Sequence, residues 1–289
     1  MAAWVARSRE RIEYAAFRVV AFVFGVLPLE VAAAFSDWGW RTIAPWLPRH
    51  QRALENLRHA FPDMSAGERE RIARAMWGHL GRTFAEFFHM QQILEEKRIA
   101  MEPVECFEAL RKGPPFVICA LHLGNWEISS QVGLRLGLPI SGTYKAAENP
   151  LVDAWILARR APMYPGGLHE KSPAAARKML RIAREGGYPA FLADLRERAG
   201  VPTTFFDREA MSNPFPALIA RSANLPIYAA CVRRLPGSRF EMRVARVETP
   251  RTHDRDADVR AATQAVQSAF ETFIRETPEQ WMWAHRRWD

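Results

Sequence analysis

Apolar and polar positions divide the chain into stretches of different texture. Residues 14–35 (YAAFRVVAFVFGVLPLEVAAAF) are nearly all apolar, and a bilayer crossing takes roughly 20 such residues. Arg18, Pro28 and Glu30 interrupt them, and the longest charge-free run is only residues 19–29. Each charge held near mid-bilayer costs on the order of 3 kcal/mol, which argues against a full span. Arg7, Arg9 and Arg11 precede this run and Trp38, Trp40 and Trp46 follow it, residue types that settle at bilayer interfaces. The pattern predicts a membrane-seated helix. A helix buried in the protein's own core is the plainer alternative, and no Ala-x-Ala cleavage site followed by a polar mature start is evident, so a secretory signal is not expected.

Residues 65–94 read as helix, because Ile72, Met76, Leu80, Phe84 and Phe88 recur every four positions and Ser65 with Glu68 forms a capping box. Beyond Pro103 short apolar runs take over. FVICAL (residues 116–121), bounded by Gly113-Pro114-Pro115, reads as a strand buried on both faces. PAFLAD (189–194) and IYAACVR (227–233) repeat the style, with helical stretches at 173–185 and 214–223 between them. RFEMRV (239–244) alternates, as an edge strand with one wet face would. A closing helix places Val259, Ala262, Val266, Ala269 and Phe273 on one side. Strands alternating with helices predict an α/β fold, with a mixed, mostly parallel central sheet covered by helices.

Composition adds three constraints. With 289 residues, 48% hydrophobic and 25% charged, the chain has the makeup of a globular protein of one large domain. Three scattered cysteines suit neither a disulfide framework nor a thiolate zinc site, and point to a reducing compartment. A net charge of +8 favours an anionic partner: nucleic acid, acidic protein or phospholipid. No helix-turn-helix, zinc or RNP motif supports nucleic acid, so none is expected. The other histidines fall in no metal-ligand spacing, and neither a metal nor a cofactor is expected.

Chemistry concentrates in HLGNWE (residues 122–127), directly after FVICAL. On one ideal helix His122 and Glu127 would face about 140° apart. They can meet if His122 ends the strand, Gly124 turns the chain, and Asn125 caps a new helix carrying Glu127 in its first turn. A carboxylate on one imidazole nitrogen would then make the other a better base. Free amides of that first turn would be available to an oxyanion. A histidine that merely satisfies a loop is the alternative. Arg159 and Arg160 end a helix begun by Asn149-Pro150, where they either bind phosphate or complement the dipole. Asp194 ends a strand, on the same side of the sheet as His122 if the two strands are parallel. PEQWMWAHRRW (278–288) mixes Trp with basic residues and suits an anionic lipid surface.

HLGNWE resembles the HX4(D/E) motif of glycerolipid-type acyltransferases. YKAAENPLVDAWILARR (144–160), GGYPAFLAD (186–194), VPTTFFDREA (201–210) and PEQWMWAHRRW are similar, in order and spacing, to blocks of the lipid A biosynthesis late acyltransferases of lauroyl/myristoyl type. The resemblance spans nearly the whole chain. It implies a glycerol-3-phosphate acyltransferase-like fold, with a membrane-associated segment over residues 1–48 and an acyltransferase domain over 49–289, of which 49–110 is a helical lead-in and 111–289 the α/β core. It implies transfer of a fatty acyl group from acyl carrier protein to a hydroxyl of an anionic, Kdo-bearing lipid A precursor, at the cytoplasmic face of a bacterial inner membrane. His122 and Glu127 match the catalytic pair, with His122 as general base oriented by Glu127. Arg160, or Arg159 one register away, matches an arginine near the site, and Asp194, Asn125, Tyr144 and Lys145 are the remaining substrate-binding candidates. Two departures stand out: Leu195 follows Asp194 where Gln or His is usual, and the FFG turn reads FFD, with Asp207 replacing glycine. The competing readings are a same-family enzyme using another glycolipid or acyl-CoA, and a peripheral membrane protein that kept the fold without the reaction.

Overall fold

A computed structural model of the chain describes residues 2–288, the side chains of residues 2–6 excepted; the outer limits expected at residues 1 and 289 lie outside them. The apolar segment 14–35 is two helices, α1 (Ala2–Val26) and α2 (Leu29–Ile43). Pro28 separates them, since it disfavours helical backbone at Leu27 and sits itself in an extended conformation. After α3 (Pro48–Ala60) comes α4 (Ala66–Phe87), which Ser65 caps by accepting the Glu68 N–H. The helix expected over 65–94 breaks at His89, whose backbone leaves the helical region and whose ring bonds the Phe24 carbonyl at 2.8 Å; α5 (Met90–Glu95) then restarts it. α2 lies closely on α4. A Cβ added at Gly81 would stand 2.5 Å from the Ser36 carbonyl, so glycine permits the approach.

The α/β part follows as β1 (Ile99–Met101), α6 (Val104–Lys112), β2 (Val117–Gly124), α7 (Gln131–Leu136), β3 (Ile140–Tyr144) and α8 (Pro150–Arg160). β4 (Gly167–Glu170), α9 (Pro173–Arg184), β5 (Tyr188–Leu192) and a hairpin of β6 (Arg196–Phe205) and β7 (Arg208–Ser212) continue it. α10 (Phe215–Ala223), β8 (Ile227–Leu235), β9 (Arg239–Val247) and α11 (Arg255–Glu276) complete it. The seven-stranded sheet has the order β1-β9-β8-β2-β5-β3-β4, parallel except where β8 meets β9. That is the mixed, mostly parallel sheet expected. β9 is not an edge: the three-residue β1, too short to leave a periodic signal, pairs outside it.

β2 sits mid-sheet with apolar side chains on both faces. Val117, Cys119, Leu121 and Leu123 enter one core layer, with α4, α9, α10 and α11, while Phe116 and Ile118 enter the other, with α6 and α7. Burial raises the Cys119 thiol far above its ordinary range, consistent with a core residue and not a nucleophile.

The FFD departure proves to be a two-residue hairpin turn. Phe205 pairs with Arg208 across it, and Phe206 and Asp207 have φ of 51° and 58°, the left-handed pair of a type I′ turn. Asp tolerates this conformation less well than glycine. Asp207→Gly is therefore expected to stabilise the protein by about 0.5–1 kcal/mol and raise the melting temperature by roughly 1–4 °C. The ion pair it would lose, to Arg275 at 3.9 Å, is solvated and adds little. A lowered melting temperature in a thermal scan would show that the Arg275 contact outweighs the turn.

Candidate active site

The site lies at the carboxyl ends of the parallel strands, where open α/β sheets hold their ligands. The register of β2 shifts between Ala120 and Gly124, and Gly124 turns the chain with φ +59°. Any Cβ there would fall 1.9 Å from the Val232 carbonyl, so only glycine fits. Asn125 then caps a 3-10 turn (Trp126–Ile128), its side-chain oxygen accepting the Glu127 N–H at 3.2 Å. The turn is as expected, but it does not bring Glu127 to His122.

The carboxylate on His122 is Asp194, and this corrects the expected pair. β5 runs parallel to β2 and delivers Asp194 beside the imidazole. Asp194 Oδ1 lies 2.8 Å from His122 Nδ1, and Oδ2 accepts from the His122 backbone N–H at 3.0 Å and from Trp281 Nε1 at 2.8 Å. Burial alone would raise this carboxyl, but the His122 charge and hydrogen bonds, with that from Trp281, outweigh it and hold it at about 2. An ionised carboxylate only accepts, so His122 Nδ1 carries the proton and Nε2 is the basic nitrogen. The ring is flanked by Trp126 and His285, with centroids 5.2 and 5.9 Å away. Burial, then His122, Arg49 and Arg52, lower the pKa of His285.

Glu127 belongs to a second pair. Arg160 forks onto it, Nε to Oε2 at 2.8 Å and Nη2 to Oε1 at 2.5 Å. Of the two candidate arginines it is Arg160 that reaches the site; Arg159 is exposed and lies over the Trp155 ring instead. Arg160 is placed by α8, whose cap Asn149 bonds the Leu151 and Val152 amides and donates to α1 at the Glu10 carbonyl and the Glu13 carboxylate. Burial disfavours the Arg160 charge, but Glu127 more than offsets it and raises its pKa.

His122, Glu127, Arg160, Tyr144 and Lys145 line one cavity of about 340 Å³, with Lys171 and Tyr164 on its wall and Leu195 beside them. Burial, then Glu127, pushes the Tyr164 hydroxyl up to about 12, so it stays protonated. Asn125 does not line the cavity. It is fully buried, and its amide is used by Glu86 and by Glu127 N–H, so it is a structural cap and not a substrate contact. The Glu127, Ile128 and Ser129 amides are likewise taken within the turn, which removes them as the oxyanion donors expected from the sequence. Behind the turn lies a network that the sequence reading missed: Glu86 of α4, Arg234 of β8, Thr83 and Gln280. Its one sequence signal is a lone carboxylate in the apolar run FAEFF.

Among solved structures, the chain is similar to the 1-acyl-sn-glycerophosphate acyltransferase PlsC of Thermotoga maritima, at 13% identity and TM-score 0.40 over 88% of this chain and 99% of that one. It is 23% identical over 245 residues to a lipid A biosynthesis acyltransferase of Haemophilus influenzae, covering 80% of this chain and 73% of the relative. The family model of bacterial lipid A biosynthesis acyltransferases matches residues 6–289, nearly everything from α1 to the Trp-rich end, and the chain belongs to that acyltransferase family.

Proposed function

We propose that this acyltransferase moves a fatty acyl group from acyl carrier protein to a hydroxyl of an anionic lipid A precursor, at the cytoplasmic face of the inner membrane. His122 Nε2 takes the hydroxyl proton while Asp194 holds Nδ1–H and stabilises the imidazolium that forms. The alkoxide oxygen attacks the thioester carbonyl, and the tetrahedral intermediate collapses to ester and thiolate. The thiolate then takes the proton from His122, so no acyl-enzyme forms and no other reactant is needed. Arg160, oriented by Glu127, and the cavity lysines Lys145 and Lys171 hold the acceptor's anionic groups. The observation carrying this reading is His122, backed by the buried Asp194, on the wall of a cationic cavity that also holds the Glu127–Arg160 fork. Lipid A from a strain lacking the protein should lose one acyl mass in mass spectrometry. Unchanged lipid A would overturn the assignment.

Membrane seating is part of the proposal. Among the described residues no helix is long and apolar enough to cross a membrane. Among the residues whose side chains are described, twelve of the fifteen exposed large hydrophobics nonetheless fall between Ile12 and Leu47, on α1, α2 and the turn after them. A patch of this extent fits an interfacial surface better than water. Membrane fractions should keep the protein through a high-salt wash, because apolar burial resists screening and charge attraction does not. Complete release by salt would show charge to be the whole anchor.

A further inference from the structure

The HLGNWE turn rests on buried charge. Glu86 and Arg234 form an ion pair, with the two side chains 0% and 4% exposed. Glu86 Oε2 also accepts from Asn125 Nδ2 at 2.9 Å. Arg234 Nη2 donates to the Thr83 hydroxyl at 2.9 Å, and that hydroxyl lies 2.9 Å from the Gly124 carbonyl. The Arg234 backbone exchanges two hydrogen bonds with the Gln280 side chain, next to the Trp281 that donates to Asp194. An isolated buried ion pair is a poor source of stability compared with apolar packing. Here each charge also reaches the backbone or the cap of the catalytic turn.

Glu86 has a specific effect on Asn125. An amide presents an oxygen and an NH2 of almost the same shape, and its neighbours decide which way it points. An ionised carboxylate accepts only, so Glu86 fixes NH2 toward itself and the oxygen toward the Glu127 N–H. With that cap set, Glu127 leaves the turn in the direction that meets Arg160.

We propose that Glu86 is a positioning residue for acyl transfer, setting the Asn125 cap and through it the Glu127–Arg160 fork that holds the acceptor. The inference rests on the acyl-transfer reading above. Glu86→Gln keeps the volume, but Arg234 claims its one oxygen and its NH2 then opposes Asn125 NH2, which disfavours the flip that caps the Glu127 N–H. In the full-length protein, assayed with acyl carrier protein as donor and a lipid A precursor as acceptor, E86Q should raise the acceptor KM about tenfold while leaving the donor KM within about twofold. In an E127Q background, E86Q should add less than about twofold, because both act through the same fork. A role in stability alone would lower the amount of active protein and leave the acceptor KM unchanged. Folded E86Q with the wild-type acceptor KM, or losses that multiply with those of E127Q, would overturn the proposal. Should E86Q not fold, E86M/R234M removes both charges at similar volume, and the same two readouts decide. A wild type that transfers no acyl group removes the reaction and this inference together; an active wild type with an unaltered E86Q variant removes this inference alone.

Discussion

His122→Ala is expected to lower acyl transfer by about 10² to 10⁴-fold with the fold intact, the usual worth of a positioned general base. The fold survives because Asp194 keeps two of its bonds, from the His122 backbone N–H and from Trp281. Asp194→Asn should cost nearly as much, since a carboxamide can present NH2 to Nδ1 and stabilise the wrong tautomer. The two residues act as a unit, so the double variant should be little worse than the worse single variant. Glu127 belongs to the other pair, and losses from His122→Ala and Glu127→Gln should multiply. A double variant of His122 and Glu127 no worse than His122→Ala alone would restore Glu127 as the partner of His122.

Asp194 also links stability to pH. Its folded pKa, about 2, lies below its ordinary 3.8. A depressed carboxyl contributes stability that is present above the unfolded value and lost as pH falls through the folded one. The contribution, on the order of 2 kcal/mol, should be complete at neutral pH and disappear between about pH 4 and pH 2, in a pH series of denaturant melts. The Asp194→Asn variant should lack that acid limb.

The sequence carried the sheet better than the site. β2, β5 and β8 were legible because strands buried on both faces are continuous apolar runs bounded by turns. β1 and β4 were not, being three and four residues long, too short for any period, and β3, though as long as β5, reads ISGTY and forms no apolar run. The stripe read every fourth residue along α4 drifts off the core, since the helix repeats every 3.6 residues. Phe84 accordingly stands 37% exposed and packs on Phe24 of α1, while Ala85 and Glu86 take core positions. At the site the turn was legible from HLGNWE, whose glycine and capping asparagine act locally. The pairing was not. Which carboxylate reaches His122 depends on β5 lying next to β2, and strand order leaves no mark on either segment. A motif six residues long suggested Glu127, whereas a residue 72 positions away makes the bond.

Arg160 is where that correction changes an expected result. If Glu127 had oriented His122, Arg160 would stand alone as a cation for the acceptor. Because the guanidinium is already forked onto Glu127, with side chains 26% and 12% exposed, Arg160→Ala does two things at once. It removes a donor for the acceptor's anionic groups, and it leaves an uncompensated carboxylate facing the same cavity. A hydrogen bond to a charged group is worth about 1.5–3 kcal/mol, so the acceptor KM should rise roughly 10- to 100-fold with kcat changing less. Arg160→Lys should recover only part of this, since an ammonium cannot fork. Arg159→Ala should do little, its side chain lying over Trp155 on the exposed side of α8. The informative comparison is Arg160→Ala in a Glu127→Gln background. If the stranded carboxylate repels the acceptor, neutralising it should restore part of the affinity that Arg160→Ala lost. If the double variant is as poor as the product of the singles, Glu127 serves the acceptor directly, and the fork is only its resting partner.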